Sequence, residues 1–355
     1  MLKFGIVGCG RIAKRHSDLL GQNQIKGASL TAVCDVQLSK ARDLGKKFDV
    51  PYFADAKEMM LGCDIDVVVI LTESGYHAQN VVDLAPFKKH IIVEKPMALT
   101  LDDADKMITA CRENKIYLFV VKQNRYNVPV VALKQALDDG RFGKLTMGTV
   151  RVRWCRPQHY YDQADWRGTW ALDGGVLANQ ASHHVDLLEY LMGDVESVYA
   201  KSETMLVDIE TEDTAVAIIK FKSGALGVIE ATTAVRPKNL EGSISVLGEN
   251  GSAEIGGFAV NEMKAWQFVD DQPIDHDIFK RYSVNPPDVY GFGHQMYYEE
   301  VVDTINNCKP PVVDGVAGRK SLELIHAIYE SIETGTEIKY PFKPRHSRLG
   351  KAQDE

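Results

Sequence analysis

The sequence predicts an α/β protein in two parts. The first is an N-terminal Rossmann-type, doubly wound parallel sheet; the second is a C-terminal α+β domain with a large, open, mostly antiparallel sheet. Three observations carry this. Residues 3–121 alternate short apolar runs with amphipathic segments at the spacing of β–α–β crossovers. The first turn reads Gly8-Cys9-Gly10-Arg11-Ile12-Ala13, the glycine pattern of a strand-to-helix phosphate loop. Beyond residue 145 the apolar period shortens to two, the period of half-buried strands.

Lys3 to Val7 is a short apolar strand, and a helix follows from Lys14 to Leu20. Gly8 permits the tight turn and Gly10 lets the backbone approach a pyrophosphate. Ala13 allows close helix–strand packing, and the phosphates sit on free N–H groups at the helix start, beside Arg11 and Ile12. The second strand, Leu30 to Cys34, ends in Asp35, where a carboxylate accepts hydrogen bonds from a ribose diol and repels a 2′-phosphate. NAD is therefore the expected cofactor, with Lys40 and Arg42 close enough to leave some tolerance for NADP. Helices are expected over 41–48, 55–61, 77–85 and 101–113, and strands over 50–53, 67–71, 91–93 and 117–121.

Such sheets bind ligands beyond the carboxyl ends of their strands. Three segments there carry chemistry: Thr72 to His77, Glu94-Lys95-Pro96, and Gln123 to Tyr126. Lys95 leaves a buried strand between an acid and a proline that stops regular structure. An ammonium at that place can stabilise an alkoxide as hydride leaves the carbon; a solvated surface lysine is the plain alternative.

The second part opens with a helix over 129–140. Strands are expected over 145–154, 195–203, 213–221, 225–233, 243–247, 252–255 and 263–268, with Asn250-Gly251 as a hairpin turn. Helices over 290–306 and 316–334 follow, then a polar tail, mobile or docked on a neighbour. The expected division is a dinucleotide domain over 1–122, a substrate and oligomerisation domain over 123–342, and a tail over 343–355. Between the first two strands of the second part lies Gly174-Gly175, then a run through Asn179, His183 and Asp186. In one helix these three polar residues share a face. A satisfied core histidine is the plain alternative. Zinc is disfavoured because neighbouring His183 and His184 point apart and no cysteines accompany them. No metal is expected.

A net charge of −8 over 355 residues argues against nucleic acid or an anionic membrane surface as the main partner. Six cysteines without C-x-x-C spacing suit free thiols in a reducing cytoplasm. The first strand begins almost at once, so no signal peptide is expected, and the longest apolar run, 67–71, is far too short to span a bilayer. The expected location is cytoplasmic.

Together, Gly8/Gly10/Ala13, Glu94-Lys95-Pro96 and Gly174-Gly175…His183-x-x-Asp186 resemble the Gfo/Idh/MocA family of oxidoreductases, in order and spacing over nearly the whole chain. The resemblance implies Lys95 and His183 as the catalytic pair flanking the substrate carbon. It implies cofactor contacts from Gly8, Gly10, Arg11, Ile12, Asp35, Thr72, His77, Glu94, Lys95, Gln123, Trp166 and Arg167. Thr72 and His77 match a family loop, although Glu73 replaces the proline usual after the threonine. Many relatives carry an aspartate four residues before the histidine; here it is Asn179, and an amide cannot act as a base.

A narrower likeness lies in Val150 to Gln158, Asp165 to Trp170 and Asn179-Gln180. These are similar to dehydrogenases that use NAD to oxidise the 3-hydroxyl of a UDP-linked N-acetylamino-sugar uronic acid, for bacterial surface polysaccharides. The substrate contacts implied are Lys95, Arg153, Arg156, Arg167, Asn179, Gln180 and His183. Planar arginine forks suit both a pyrophosphate and a carboxylate; for Arg151 and Arg153, on one face of a strand, an exposed basic stripe or subunit contact is the alternative. The partners implied are a sugar nucleotide and further copies of the chain, as a dimer or tetramer, with no nucleic acid and no membrane. Three rivals stand beside this: a dehydrogenase of a free sugar or inositol, an NAD-dependent glycoside hydrolase on the same fold, and a non-catalytic NAD sensor.

Overall fold

A computed structural model describes residues 1–282 and 292–352. The chain divides into two compact units, Met1–Val121 with His294–Leu322, and Lys122–Gly293 with Glu323–Glu355. The boundary expected at residue 122 is thus crossed a second time: residues 294–322, expected in the second domain, are gathered with the first.

Unit 1 holds a six-stranded parallel sheet of β1 (Leu2–Val7), β2 (Ala28–Cys34), β3 (Tyr52–Phe53), β4 (Val67–Ile70), β5 (His90–Val93) and β6 (Leu118–Val120). Its strand order is β3-β2-β1-β4-β5-β6, so the order reverses between β1 and β4. The crossover helices are α1 (Ala13–Gly21), α2 (Leu38–Phe48), α3 (Ala56–Gly62), α4 (His77–Leu84) and α5 (Leu101–Glu113). Val67, Val68, Val69 and Ile70 are fully buried, which explains the unbroken apolar run: a central parallel strand is covered on both faces. Two of these crossover helices begin where a side chain satisfies an early N–H group. Asp55 accepts from Glu58 N and Thr100 from Asp103 N.

Unit 2 begins with α6 (Val128–Asp138) and holds an eight-stranded sheet. Its strands are β7 (Leu145–Arg153), β8 (Val195–Glu203), β9 (Thr214–Phe221), β10 (Leu226–Thr232), β11 (Glu241–Gly248), β12 (Gly251–Gly256), β13 (Glu262–Phe268) and β14 (Ile338–Lys339). The order is β13-β12-β11-β7-β10-β9-β8-β14, antiparallel throughout except for β7 beside β10. Short helices α7 (Gln158–Tyr161) and α9 (Ile278–Arg281) lie in loops, and α8 (Ser182–Met192) packs on β7 and β11. Along β7, Gly148, Val150 and Val152 are buried while Thr149, Arg151 and Arg153 are half-buried on the opposite face. Each fully buried valine contributes about 1.5–3 kcal/mol relative to exposure. The opposite face leaves Val216, Ile218 and Leu226 exposed.

Helix α10 (Gly293–Asn307) belongs to unit 1 from His294 on, and α11 (Gly315–Thr334) changes unit after Leu322. The start expected for α10 at 290 lies outside the described residues. The two-residue strand β14 was not expected, since two residues carry no periodicity.

Two expectations are corrected. α8 starts at Ser182, so Asn179 lies in the turns before it and does not share a helical face with His183 and Asp186. The tail, expected mobile or docked on a neighbour, is held on its own unit as far as Leu349. The N–H groups of Arg345, His346 and Ser347 all donate to Glu330 Oε2, at 2.9, 2.8 and 2.9 Å, and Leu349 is buried. No helix among the described residues is long and apolar enough to cross a membrane.

Candidate active site

In unit 1 the glycine loop follows β1 at the point where the strand order reverses. Gly8 has φ +96°, and a Cβ there would lie 2.7 Å from the Leu71 carbonyl oxygen. Side chains are excluded at this turn on both counts. Gly10 faces open space, with no heavy atom within 4 Å of a built Cβ. α1 opens at Ile12 without a side-chain cap, leaving its first N–H groups for a ligand, with Arg11 exposed beside them. Asp35 braces the loop: Oδ2 accepts Cys9 N at 2.8 Å and Oδ1 accepts Gln37 N at 2.7 Å. Its carboxylate remains only half-buried, so oxygen lone pairs are left for a ribose diol. The loop, the uncapped helix start and the carboxylate fit a dinucleotide. Burial first, then the Asp35 charge, pushes the Cys9 thiol up to about 12, so the sulfur in this loop stays protonated and unreactive.

The next two sequence candidates are tied together. The His77 ring lies with Nδ1 2.8 Å from the Pro96 carbonyl and Nε2 2.9 Å from the Thr72 carbonyl. It therefore clamps the Thr72 loop to the Lys95-Pro96 turn, whose peptide bond is cis, and both ring nitrogens face main chain. Thr72 Oγ1 accepts from Asn80 Nδ2 at 3.2 Å. Glu94 is buried; Oε2 accepts Lys95 N at 2.9 Å and Oε1 lies 3.1 Å from His16 Nε2. Glu94 thus braces the lysine from behind. Lys95 itself is half-buried at the carboxyl end of β5.

Unit 2 carries the second set. Gln123 Nε2 lies 2.9 Å from His183 Nε2. An amide N–H can only donate, so with Gln123 in this orientation His183 accepts at Nε2. A neutral imidazole with a lone pair there can take a proton. Gln123, expected as a cofactor contact, is the histidine's partner. Asp186 forms a bidentate pair with Arg125 (both 2.7 Å), and Lys122 Nζ lies 3.4 Å away. Burial alone would raise the Asp186 carboxyl, but Arg125 and then Lys122 hold it well below the usual range. His183 and Asp186, three apart on α8, thereby both face residues 122–125. His184 faces elsewhere: it is buried edge-on to Trp154, and burial pushes it down to about 4.

The loop before α8 rests on two carboxylates that the sequence did not single out. Asn179 donates to buried Asp173, whose other oxygen accepts Gly168 N at 2.8 Å. Glu212 Oε1 accepts Leu177 N at 3.0 Å and the Tyr329 hydroxyl at 2.9 Å. A Cβ on Gly175 would sit 2.1 Å from Glu212 Oε2, which is why that glycine precedes the helix. Gln180 is buried beside them in sequence.

The arginines separate. Arg153 donates Nε and Nη2 to Glu230 at 2.6 and 2.8 Å and Nη1 to Glu241 at 3.1 Å. It lies on the sheet face opposite α8, so its expected role toward a substrate beside His183 is withdrawn. Arg156 and Arg167 instead flank the Tyr160 ring, at 5.2 and 4.5 Å, and also stack on Trp154 and Trp166 respectively. Arg167 Nη1 donates to the Tyr160 hydroxyl at 2.7 Å. Its Nε and the Trp154 indole N–H are buried with no partner among the described residues.

Comparison with known proteins gives the family. A family model described as "Oxidoreductase family, NAD-binding Rossmann fold" matches residues 2–122, and its companion, the C-terminal alpha/beta domain, matches 134–340. A myo-inositol 2-dehydrogenase of Thermotoga maritima is 30% identical, covering 95% of this chain and 98% of the relative. The WlbA dehydrogenase of Bordetella pertussis, solved with NADH and UDP-GlcNAcA, is 40% identical with a TM-score of 0.88, covering 96% of this chain and 99% of that one. The WlbA dehydrogenase of Chromobacterium violaceum, solved with the same two ligands, is 42% identical with a TM-score of 0.90, covering 96% of each chain.

Proposed function

This chain belongs to the Gfo/Idh/MocA family of oxidoreductases and binds NAD, and from that premise we propose that it oxidises the 3-hydroxyl of a UDP-linked N-acetylamino-sugar uronic acid. The observation that carries the substrate is the Arg156–Tyr160–Arg167 stack. Two cations and three aromatic rings meet there, and the Arg167 Nε is a buried donor awaiting an acceptor. A carboxylate or pyrophosphate supplies one. The 40–42% identity to dehydrogenases solved with UDP-GlcNAcA supports the same class.

NAD, when bound, supplies the hydride acceptor. His183 takes the hydroxyl proton at Nε2, the atom that Gln123 occupies in the chain alone, so the incoming hydroxyl replaces or shares that amide. Lys95 orients the hydroxyl and stabilises the forming alkoxide. Asn179 and Gln180 offer amide hydrogen bonds to an acetamido group or ring hydroxyl. The apolar face bearing Val216, Ile218 and Leu226 supports pairing with a second copy. The myo-inositol relative favours one second reading, oxidation of a free polyol.

The test is NADH formation with the UDP-uronate beside UDP-N-acetylglucosamine, free glucuronate and myo-inositol. A buried charge left unpaired costs about 2–5 kcal/mol, so the uronate should lead the neutral nucleotide sugar by roughly tens- to thousands-fold. Equal rates on the two would remove the carboxylate, and activity on myo-inositol alone would establish the second reading. Lys95→Met and His183→Asn should each lose roughly 10²-fold or more in turnover with NAD binding intact; near-normal turnover in either removes that residue's role.

A further inference from the structure

Behind the Lys95 turn, within unit 1, runs a line of buried polar groups that ends on Glu94. The Tyr298 hydroxyl, from α10, lies 2.6 Å from His16 Nδ1 on α1. His16 Nε2 lies 3.1 Å from Glu94 Oε1, and Glu94 Oε2 accepts the Lys95 N–H at 2.9 Å. Tyr298 and His16 are fully buried and Glu94 is 6% exposed. An ionised Glu94 only accepts, so His16 Nε2 carries the hydrogen between them, while Nδ1 is hydrogen-bonded to the Tyr298 hydroxyl. His294 stacks edge-on against His16 at 5.2 Å and closes the side of the cluster. Burial alone would raise Glu94, but the His16 hydrogen bond, and then His294 with Nε2 3.9 Å away, outweigh it and hold the carboxyl well below its usual range.

We propose that Tyr298, His16 and Glu94 form a positioning relay for Lys95. The relay fixes the Lys95 backbone N–H and through it the aim of the ammonium; Tyr298 and His16 are positioning residues for hydride transfer. His16 sits one turn beyond Ile12, so the helix that opens with the glycine loop also braces the lysine. The inference rests on the role proposed for Lys95. A metal is the rival occupant, since His16, Glu94 and His294 bring ligand atoms within 4.8 Å of one another. The hydrogen bonds favour the relay. His16 and Glu94 stand at hydrogen-bond distance, and the outer atom of each is engaged by Tyr298 and by Lys95 N.

The experiment uses the full chain with Tyr298→Phe, His16→Ala and His16→Gln, each alone and combined with Lys95→Met. Rates are read with the UDP-uronate, or with myo-inositol where the uronate is not oxidised, alongside NADH affinity, metal content and amide hydrogen exchange of the segment containing Lys95. Tyr298→Phe keeps shape and burial, which guards against simple unfolding. It should lower kcat about 3–10-fold, the scale of one net hydrogen bond, with KM and NADH affinity within about twofold. His16→Ala should cost roughly 10-fold or more, and His16→Gln, which keeps a donor toward Glu94, should recover most of that loss. Exchange at Lys95 should quicken in Tyr298→Phe and His16→Ala whatever the substrate. In the Lys95→Met background neither change should lower the residual rate further. Unchanged kcat and exchange in Tyr298→Phe and His16→Ala, the same losses repeated in full without Lys95, or a stoichiometric bound metal would each overturn the relay. Near-normal turnover of Lys95→Met alone would instead overturn the role of the lysine.

Discussion

Glu212 gives the loop before α8 a measurable dependence on pH. Its carboxyl is 3% exposed, and burial has pushed it up to about 7 from 4.5, against hydrogen bonds from Leu177 N and Tyr329 and the charge of Arg348. A group with a raised folded pKa holds its proton more tightly when folded. Its stabilisation is complete below the unfolded value near 4.5 and is lost as pH rises through about 7. The full gap is on the order of 3 kcal/mol, of which about 2 kcal/mol is lost between about pH 5.5 and about pH 8.5. Glu212→Gln removes the titration and keeps an oxygen for Leu177 N and the Tyr329 hydroxyl. Its amide nitrogen brings a constant cost that cancels when two pH values are compared. Unfolding of wild type and variant, followed by tryptophan fluorescence at matched ionic strength, should show the variant gaining about 2 kcal/mol on wild type from the lower pH to the higher. For a unit of this size that is about 4–8 °C in Tm. The same offset between the two proteins at both pH values would refute the reasoning, because no proton uptake would then separate folded from unfolded Glu212.

Three further outcomes are expected. Asp35→Ala should narrow a preference for NAD over NADP, measured as a ratio of dissociation constants, since a 2′-phosphate beside a carboxylate sets like charges together; tighter binding of NADP by wild type would transfer control to Lys40 or Arg42. Asp186→Asn leaves Arg125 and Lys122 buried without their anion and should cost about 3–5 kcal/mol in urea unfolding, partly recovered by adding Lys122→Met. Because the Asp186 carboxyl is held down, that stability is present above its unfolded pKa and is lost only in acid, so its contribution should be level across neutral pH. Gln123→Leu should change turnover and leave NADH affinity alone, since its amide rests on His183; a loss confined to NADH affinity would return it to the cofactor.

What the sequence determined by itself is what depends on short stretches of backbone. The unbroken Val67–Ile70 run announces a strand covered on both faces, and the alternation along 145–153 announces a sheet with one face packed. Gly8, Gly10 and Asp35 mark the dinucleotide loop because turn geometry and the end of the next strand are local facts. The Lys95-Pro96 turn stands out for the same reason, whereas His183 is singled out by a polar row on a helix and by the family resemblance. Only the tertiary structure decided which polar groups meet. Asp186 finds Arg125 61 residues away, His16 finds Glu94 at a separation of 78, and Arg153 is taken by Glu230 at 77. Such pairs depend on strand order and on which helix covers which face, and no periodicity encodes either. An arginine on a strand reads the same whether its fork waits for a substrate or already holds a glutamate from the neighbouring strand. The start of α8 at Ser182 is of this kind too, because Asp173 and Glu212 hold the preceding turns by hydrogen bonds that compete with a longer helix.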